Sequence, residues 1–236
     1  MRRRRRGIGG GIGIDRDGLV AYWSLAEKDA NGTAISDISG NGNTGTSANT
    51  PVFTTDQNGV ANQAMTFDGV GYYVITGDDT GYPIGNSSRT VATWAKLDSD
   101  TPSWSTVMSY GTAASDESFL WVITDDSGTG KPMMGKYGDN STTADTAIDD
   151  SEWHHIAMVV TQDGANDVTI AFYLDGIADG TSSLANVNTI LNSNFSIGGL
   201  YSGNQFLKGN LSDTAIYSSA LTQDEISKLY LAGQHS

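Results

Sequence analysis

The chain has 236 residues and no cysteine, which excludes disulfide frameworks and thiolate metal sites. It carries 27 acidic and 13 basic residues, and its formal net charge is −14. Five of the basic residues are Arg2–Arg6, so the rest of the chain is strongly acidic and repels nucleic-acid phosphates and anionic membranes. No apolar run approaches the roughly 20 residues that a membrane-spanning helix needs.

Residues 1–17 form an Arg- and Gly-rich arm that precedes the domain we assign to residues 18–236. Its basic residues include Arg2, Arg3, Arg4, Arg5 and Arg6. Guanidinium groups bind carboxylates and phosphates in bidentate fashion, so the arm fits docking onto other subunits of a particle, onto nucleic acid or onto a membrane surface. A solubilising leader is the alternative. A signal peptide is not indicated, because no apolar stretch of 7 to 15 residues follows the arginines.

From Asp17 onward, short apolar segments alternate with turns rich in Gly, Asn, Asp and Ser, which is typical of an antiparallel sandwich or jelly roll. Asp68-Gly69 lies between two of these segments and predicts a hairpin turn. The predicted strands are Leu19–Trp23, Ala64–Phe67, Tyr72–Ile75, Thr90–Leu97, Ser105–Tyr110, Phe119–Thr124, Trp153–Thr161, Val168–Leu174, Phe195–Leu200 and Leu211–Tyr217.

One helix is predicted, at the C-terminus. Thr222 and Glu225 have the spacing of a capping box, in which each side chain accepts a hydrogen bond from the other residue's backbone N–H. Ile226 and Tyr230 follow on one helical face, and Gly233 is placed to end the helix. We expect the apolar face of this helix to pack on the sandwich.

Seven segments follow one another in an order that is characteristic of a known family: Gly18–Trp23, Asp37–Gly45, Ala64–Gly69, Val91–Trp94, Trp153–Ala157, Tyr173–Gly176 and Lys208–Thr222. On these segments the chain resembles the laminin-G-like jelly rolls of the concanavalin A-like lectin/glucanase superfamily, in its bacterial and pentraxin-like branch. The resemblance covers residues 18–233. It implies two curved antiparallel sheets stacked face to face, a surface that binds a glycan or a protein, and a structural calcium ion.

The loop after the first strand contains candidate calcium ligands, since Ca²⁺ prefers carboxylate, amide and carbonyl oxygens. Asp37, Asn41 and Asn43 lie in this Gly-rich loop, and the resemblance places Asp213 close to them. An ordinary turn, in which Asp and Asn side chains bond their own backbone, is the alternative. The sequence also departs from the family pattern, because Ser24–Ala26 stand where an acidic residue often follows the first strand.

Enzyme chemistry is not favoured. Glucanases of this superfamily carry an alternating Glu-x-Asp-x-Glu pattern, and none of the four Glu residues begins such a pattern to supply the two carboxylates that glycoside hydrolysis needs. His154 and His155 adjoin on a predicted strand, so their side chains point to opposite faces and do not easily share a metal. The resemblance implies that one of them packs inside.

Sugar binding requires exposed aromatic rings that pack against the apolar faces of sugars, with Asp, Asn or Gln to bond the hydroxyls. The aromatic residues that we single out as candidates are Trp104, Trp121, Tyr137 and Tyr201. The alternative is that these rings pack beneath loops.

We therefore predict a non-catalytic binding, adhesion or structural module. The favoured setting is the surface of a virion such as a phage, where the arm contacts other virion subunits, the protein forms a homo-oligomer, and the jelly roll presents a face for a glycan or a surface protein. A secreted or cell-surface lectin domain is the alternative, and a glycoside hydrolase is a third hypothesis.

Overall fold

The structure, a computed structural model, describes residues 16–77, 81–124, 130–137, 141–191, 195–200 and 202–234. These residues form two β-sheets, a 3₁₀ helix at Glu27–Asp29 and one α-helix, α1, at Gln223–Gly233. The strands are β1 (Leu19–Trp23), β2 (Ala30–Asn31), β3 (Ala34–Ile35), β4 (Gly45–Ser47), β5 (Val52–Thr54), β6 (Ala64–Asp68), β7 (Val74–Thr76), β8 (Arg89–Leu97), β9 (Ser105–Gly111), β10 (Ser118–Thr124), β11 (Lys131–Gly135), β12 (Ser141–Thr143), β13 (Trp153–Gln162), β14 (Val168–Leu174), β15 (Ile177–Leu184), β16 (Phe195–Ile197) and β17 (Lys208–Tyr217).

The strands are divided between two antiparallel sheets. Sheet A has the order β15-β14-β13-β8-β17-β6-β5, and β1 also pairs with β17. Sheet B has the order β12-β11-β10-β9-β16-β7-β4-β3-β2. The chain crosses between the sheets several times, as in a jelly roll. The all-β, two-sheet sandwich with a short C-terminal helix that the sequence predicts is therefore confirmed.

Aromatic rings join the two sheets across the core. Trp23 of sheet A stacks on Phe195 of sheet B with 5.2 Å between ring centroids, and Tyr82 stacks on Phe195 at 4.6 Å. The indole N–H of Trp23 donates to the carbonyl oxygen of Asn43 at 2.9 Å, so its polar edge is satisfied although the residue is fully buried. These stacked rings fix how the two sheets face each other.

Helix α1 covers the outer face of sheet A. The capping box of Thr222 and Glu225 is present as predicted, Ile226 is fully buried, and Tyr230 stacks on Trp94 at 5.5 Å. The helix ends at Gly233, as predicted, but the reason for glycine there is close packing. A Cβ at Gly233 would lie 2.1 Å from Nε1 of Trp94.

The predicted hairpin at Asp68-Gly69 is wrong. Strand β6 belongs to sheet A and β7 to sheet B, so the turn carries the chain from one sheet to the other. The Oδ1 atom of Asp68 accepts hydrogen bonds from the backbone N–H groups of Val70, Gly71 and Tyr72 at 2.9, 2.9 and 3.1 Å. These bonds satisfy the amides of the crossing segment, which have no strand partner.

The predicted arm, including Arg2–Arg6, lies outside the described residues, and its contacts stay predictions. The described strands from Leu19 to Tyr217 build one sandwich around one inter-sheet core. In that part of the chain, no helix is long and apolar enough to cross a membrane.

Two glycines with nearly the same backbone conformation provide a test of core packing. Gly198 has φ +76°, and a Cβ there would lie 2.0 Å from the ring of Phe67. Gly59 has φ +77°, and a Cβ there would meet nothing within 4 Å. We expect Gly59→Ala to lower the free energy of unfolding by about 1–2 kcal/mol from backbone strain. Gly198→Ala should cost about 1–3 kcal/mol more, because it overpacks the core.

Urea denaturation of the two variants and the wild type measures both effects. Equal losses at the two positions would show that the Phe67 ring moves aside without cost, and would contradict the proposed packing constraint.

Candidate functional site

A polar cavity of about 310 Å³ lies where three loops of the sandwich converge. Its walls come from the β9–β10 loop, the β13–β14 loop and the segment that follows β15. The lining residues are Ser115, Asp116, Glu117, Asn166, Asn186 and Asn188. Loops distant in sequence thus place carboxyl, amide and hydroxyl groups around one opening.

Backbone hydrogen bonds tie these loops to one another. The N–H of Asn188 donates to the carbonyl oxygen of Asp116 at 2.9 Å, and the N–H of Ile190 donates to that of Glu117 at 3.0 Å. The third loop is joined by the N–H of Val187, which donates to the carbonyl oxygen of Asn166 at 2.7 Å. The position of the lining residues is therefore set by the backbone, which leaves their side chains available to a ligand.

The side chains of five lining residues form no hydrogen bond with the rest of the described chain; they are Ser115, Glu117, Asn166, Asn186 and Asn188. Exposed amides and carboxylates that are not engaged by the protein are the groups with which ligand hydroxyls form hydrogen bonds. The cavity can therefore recognise a hydroxyl-rich molecule through several contacts at once.

A buried lysine joins two of the segments that line the cavity. Lys136 is only 6% exposed, and its ammonium group forms an ion pair with the carboxylate of Asp116. The same group donates to the carbonyl oxygens of Ala185 at 2.7 Å and Asn186 at 3.1 Å. If the β9–β10 loop and the segment after β15 moved apart, the buried ammonium group would lose one of its partners, which is costly in free energy. Lys136 therefore holds the two segments at a fixed separation.

Asp116 and Asn186 both have left-handed backbone conformations, with φ +67° and +57°. Residues other than glycine rarely adopt this conformation, and Asp and Asn tolerate it best. The contacts of Lys136 with both residues explain how the conformation is maintained.

Two of the four aromatic residues predicted for sugar binding lie near the end of β11. The Trp104 side chain, 37% exposed, stands over Gly135, where a Cβ would lie 3.8 Å from its ring. Tyr137 is 41% exposed, and its carbonyl oxygen accepts from the N–H of Asp116 at 2.8 Å. The backbone of Tyr137 therefore adjoins the β9–β10 loop that lines the cavity, and the Trp104 ring lies close to Gly135, two residues earlier in the chain.

The other two aromatic predictions fare differently. Trp121 is fully buried in the inter-sheet core, so it cannot serve as the exposed sugar platform that we expected. Phe119, Trp121 and Ile123 occupy every second position of β10 and face the same core. This apolar period of two in the sequence was the signal that Trp121 is buried. Tyr201 lies outside the described residues.

In the predicted calcium loop, the side chains of the candidate ligands form hydrogen bonds with backbone groups. Oδ1 of Asp37 accepts from the N–H groups of Tyr22 at 3.1 Å and Ser39 at 2.8 Å, and its Oδ2 accepts from that of Asn43 at 2.9 Å. Partial burial alone would raise the pKa of Asp37, but hydrogen bonds from these same residues hold it below the ordinary value. Asn41 and Asn43 donate their side-chain amides to the carbonyl oxygen of Val20 at 2.9 and 3.0 Å.

Asp213 does not join this loop. Its carboxylate accepts from the hydroxyl of Tyr22 and, at 3.1 Å, from Nε2 of Gln57, whereas Asp37 contacts the backbone of Tyr22. In the described chain, no three His, Cys, Asp or Glu residues are grouped to hold a metal. Asp37, Asn41, Asn43 and Asp213 in this arrangement do not fit one calcium shell, and calcium binding stays a prediction.

His154 and His155 point to opposite faces of β13, as the sequence predicts. His155 is 3% exposed and lies against Trp94 at 5.5 Å, so it is the histidine that packs inside. His154 is paired with Asp175 at 2.9 Å and with Asp150 at 3.2 Å. The two rings therefore lie on opposite faces of the strand, where His155 contributes to packing and His154 to ion pairs.

Comparisons with known proteins identify similar folds. A family model described as the concanavalin A-like lectin/glucanases superfamily matches residues 67–227, which confirms the resemblance seen in the sequence. A search of the curated proteins finds no match.

Solved structures of low sequence identity share the fold. Domain 4 of AbnA, an extracellular arabinanase from Geobacillus stearothermophilus in complex with arabinotriose, is 19% identical; the match covers 90% of this chain and 98% of that one, with a TM-score of 0.63. The binding domain of Paraclostridial Mosquitocidal Protein 1 is 15% identical, covering 91% and 52%, with a TM-score of 0.67. The ligand-binding domain of botulinum neurotoxin serotype D, in complex with N-acetylneuraminic acid, is 13% identical, covering 92% and 51%, with a TM-score of 0.66. The chain thus spans about half the length of the two toxin domains.

The histidine pair predicts a two-sided pH dependence of stability. A hydrogen bond to Asp175 raises the pKa of His154 from 6.5 to about 9, so its stabilising contribution is complete below pH 6.5 and is lost as the pH rises through 9. Burial lowers the pKa of His155 from 6.5 to about 4, so its contribution is complete above pH 6.5 and is lost as the pH falls through 4.

Titration of the histidine ring protons by NMR measures both values directly, with His154→Gln to assign the signals. Asp175→Asn should bring the pKa of His154 down towards 6.5 and leave that of His155 low. A His154 pKa near 6.5 in the wild type would contradict the ion pair with Asp175.

Proposed function

The chain belongs to the concanavalin A-like lectin/glucanases superfamily, and on that premise we propose that it is a non-catalytic module that binds glycans at the polar cavity. The observation that carries this proposal is the combination of unengaged polar side chains with exposed aromatic rings at one end of β11. Sugars present hydroxyls around a ring whose C–H faces are apolar, and both kinds of group are met here.

The polar half of the site suits hydroxyl recognition. Asn166, Asn186 and Asn188 each offer two donors and an acceptor, and Glu117 offers a carboxylate acceptor. Because Lys136 and the loop-to-loop backbone bonds fix the walls, little order has to be created when a ligand binds. Preorganisation of this kind improves affinity by reducing the entropy lost on association.

We assign the aromatic half of the site to the rings of Tyr137 and Trp104, near the end of β11 that adjoins the β9–β10 loop. Both rings are partly exposed, and an exposed ring beside polar groups provides an apolar surface for one face of a sugar.

The structural neighbours support binding rather than catalysis. The arabinanase domain is described with arabinotriose, and the serotype D toxin domain with N-acetylneuraminic acid. Their low identity to this chain means that they share its fold, while the ligand has to be argued from the residues of this cavity.

The carboxyl groups of the cavity are poorly arranged for glycoside hydrolysis. Such enzymes need two carboxyl groups that are both able to act on the glycosidic bond. The carboxylate of Asp116 is instead engaged in an ion pair with the ammonium group of Lys136. Asp116 therefore holds the loop in place, in keeping with a binding role.

A second role concerns the arm, and the charge distribution of the sequence favours it. Arg2–Arg6 concentrate positive charge at one end of an otherwise acidic chain, so the arm of one copy is complementary to the body of another or to a different acidic subunit. We propose that the arm anchors the module in an oligomeric surface assembly, such as a virion, from which the jelly roll displays its glycan site outside the cell.

Glycan binding predicts a specific pattern of loss among cavity variants. On a glycan array followed by calorimetry with the best ligand, Tyr137→Ala should weaken binding about tenfold through the loss of stacking. Asn188→Ala should weaken it about three- to tenfold through the loss of hydrogen bonds. The control is Ile177→Ala, which truncates a 71% exposed residue at the opposite end of β15 and should leave affinity unchanged.

Melting curves of the same variants verify that folding is intact, and a lower melting temperature of the wild type after EDTA treatment would support the predicted structural calcium ion. Wild-type protein that binds no glycan on the array, or cavity variants that bind as well as Ile177→Ala, would contradict the proposed site.

The assembly role predicts that charge on the arm controls the oligomeric state. Replacing Arg2–Arg6 together by Gln should convert the assembled protein to monomers in light scattering, because the attraction to the acidic body is lost. High salt should have the same effect on the wild type, since screening weakens contacts between exposed charges. A wild-type protein that is monomeric at low salt would contradict self-assembly through the arm.

A further inference from the structure

We propose that the cavity selects neutral or amino-bearing sugars and rejects sugars that carry carboxylate or sulfate groups. The inference rests on the proposed glycan-binding function and adds the charge class of the ligand. It follows from where the positive charges near the cavity are placed and from what already engages them.

Among the described residues, the lining of the cavity contains negative charge and no cation. Asp116 and Glu117 contribute carboxylates, and the other four lining residues are Asn and Ser. The Asp116 carboxylate is neutralised by Lys136, whereas that of Glu117 has no ion-pair partner in the described chain. The net charge presented to a ligand is therefore negative.

Lys136 has no donor to offer to an anion. An ammonium group has three N–H donors, and those of Lys136 are directed to the carboxylate of Asp116 and the carbonyl oxygens of Ala185 and Asn186. Its low exposure also prevents a ligand from approaching it. Lys136 therefore supports the walls of the site without attracting an acidic sugar.

Arg89, the second cation at this end of the sandwich, is also out of reach. It is fully buried, and its guanidinium donates to the hydroxyls of Tyr110 and Thr189 at 2.7 and 3.1 Å. The other donors bond the carbonyl oxygens of Ser87, at 3.0 Å, and of Gly85 and Ile84, at 2.8 and 3.4 Å. A guanidinium has five N–H donors, and all five are occupied.

The basic residue closest in sequence to Lys136 is Lys131, at the start of β11. A strand rises about 3.3 Å per residue, so Lys131 lies roughly 13 Å along the strand from Gly135, close to which the Trp104 ring lies. At physiological ionic strength such a distance exceeds the Debye length. An anionic sugar in the cavity would thus face Glu117, while the donors of Arg89 and Lys136 are already engaged by the protein.

Matched pairs of sugars test this selectivity directly. The probes are lactose with 3′-sialyllactose, galactotriose with trigalacturonic acid, and chitotriose with its deacetylated glucosamine trimer, all titrated in low and physiological salt. The protein is the full chain with Arg2–Arg6 replaced by Gln, so that the arm does not capture anions non-specifically.

In the first two pairs, we expect a neutral sugar that binds to do so at least tenfold more tightly than its acidic partner, and the ratio to shrink as salt is added. In the third pair, the amino-bearing trimer should bind at least as tightly as neutral chitotriose. Glu117→Gln should reduce the ratio, and Glu117→Lys should reduce it further or reverse it. Asn188→Gln, which changes the wall without changing charge, is the matched control and should leave the ratio unaltered.

The outcomes separate the two proposals. Acidic sugars that bind as tightly as their neutral partners would overturn the selectivity and leave the glycan-binding function standing. If no probe in the panel and no glycan on the array binds, both proposals are overturned together.

Discussion

The buried guanidinium of Arg89 is the interaction on which the cavity end of the molecule depends. It begins β8 of sheet A, donates to Tyr110 of β9 in sheet B, and reaches Thr189 in the segment after β15. Its ring neighbours, Tyr110 and Phe119, lie 5.9 and 5.5 Å from the guanidinium carbon and add a cation–π contribution. One side chain thus joins both sheets and the loop segment that forms a wall of the cavity.

Lys136 is a second buried cation that joins separate segments of the chain at this end of the sandwich. It joins the β9–β10 loop to the segment after β15, so the two buried cations act on the same segment from different sides. Buried charges with fully engaged donors stabilise one arrangement, because every alternative leaves a charge or an acceptor unsatisfied. We therefore regard this end of the sandwich as rigid, which is what a site made from loops requires if it is to recognise a ligand.

Most of the fold could be predicted from the sequence because its long strands carry strong apolar patterns. The alternation within Thr90–Leu97 is typical of a strand with one buried face, yet β8 is buried on both faces, because α1 covers the second face. The hairpin at Asp68-Gly69 failed for a related reason: a turn signal marks a change of direction and does not say in which sheet the next strand lies. Which sheet a strand joins, and whether a helix covers its second face, depend on tertiary contacts that leave no pattern in the local sequence.

The candidate site was harder to predict than the fold. Trp104 and Tyr137 lie outside the strongest strand patterns and are exposed, and their role in sugar binding stays a prediction. Trp121 was assigned wrongly because the burial pattern of its strand was not weighed. Lys136 and Arg89 were missed altogether. A single basic residue beside an apolar strand gives no spacing signal, and its role is created only when distant carbonyl groups converge on it.

The distribution of charge connects the two functional proposals. In the body, two of the few cations are enclosed and engaged with the protein's own acceptors, while acidic residues outnumber basic ones by a wide margin over the whole sequence. The surface is therefore acidic, except where the Arg2–Arg6 arm supplies a complementary charge. An acidic body disfavours both acidic sugars and non-specific contact with copies of itself, so the arm is the element best suited to bring copies together. The proposed sugar site and the proposed contact of the arm would then not compete, because they would recognise ligands of different charge.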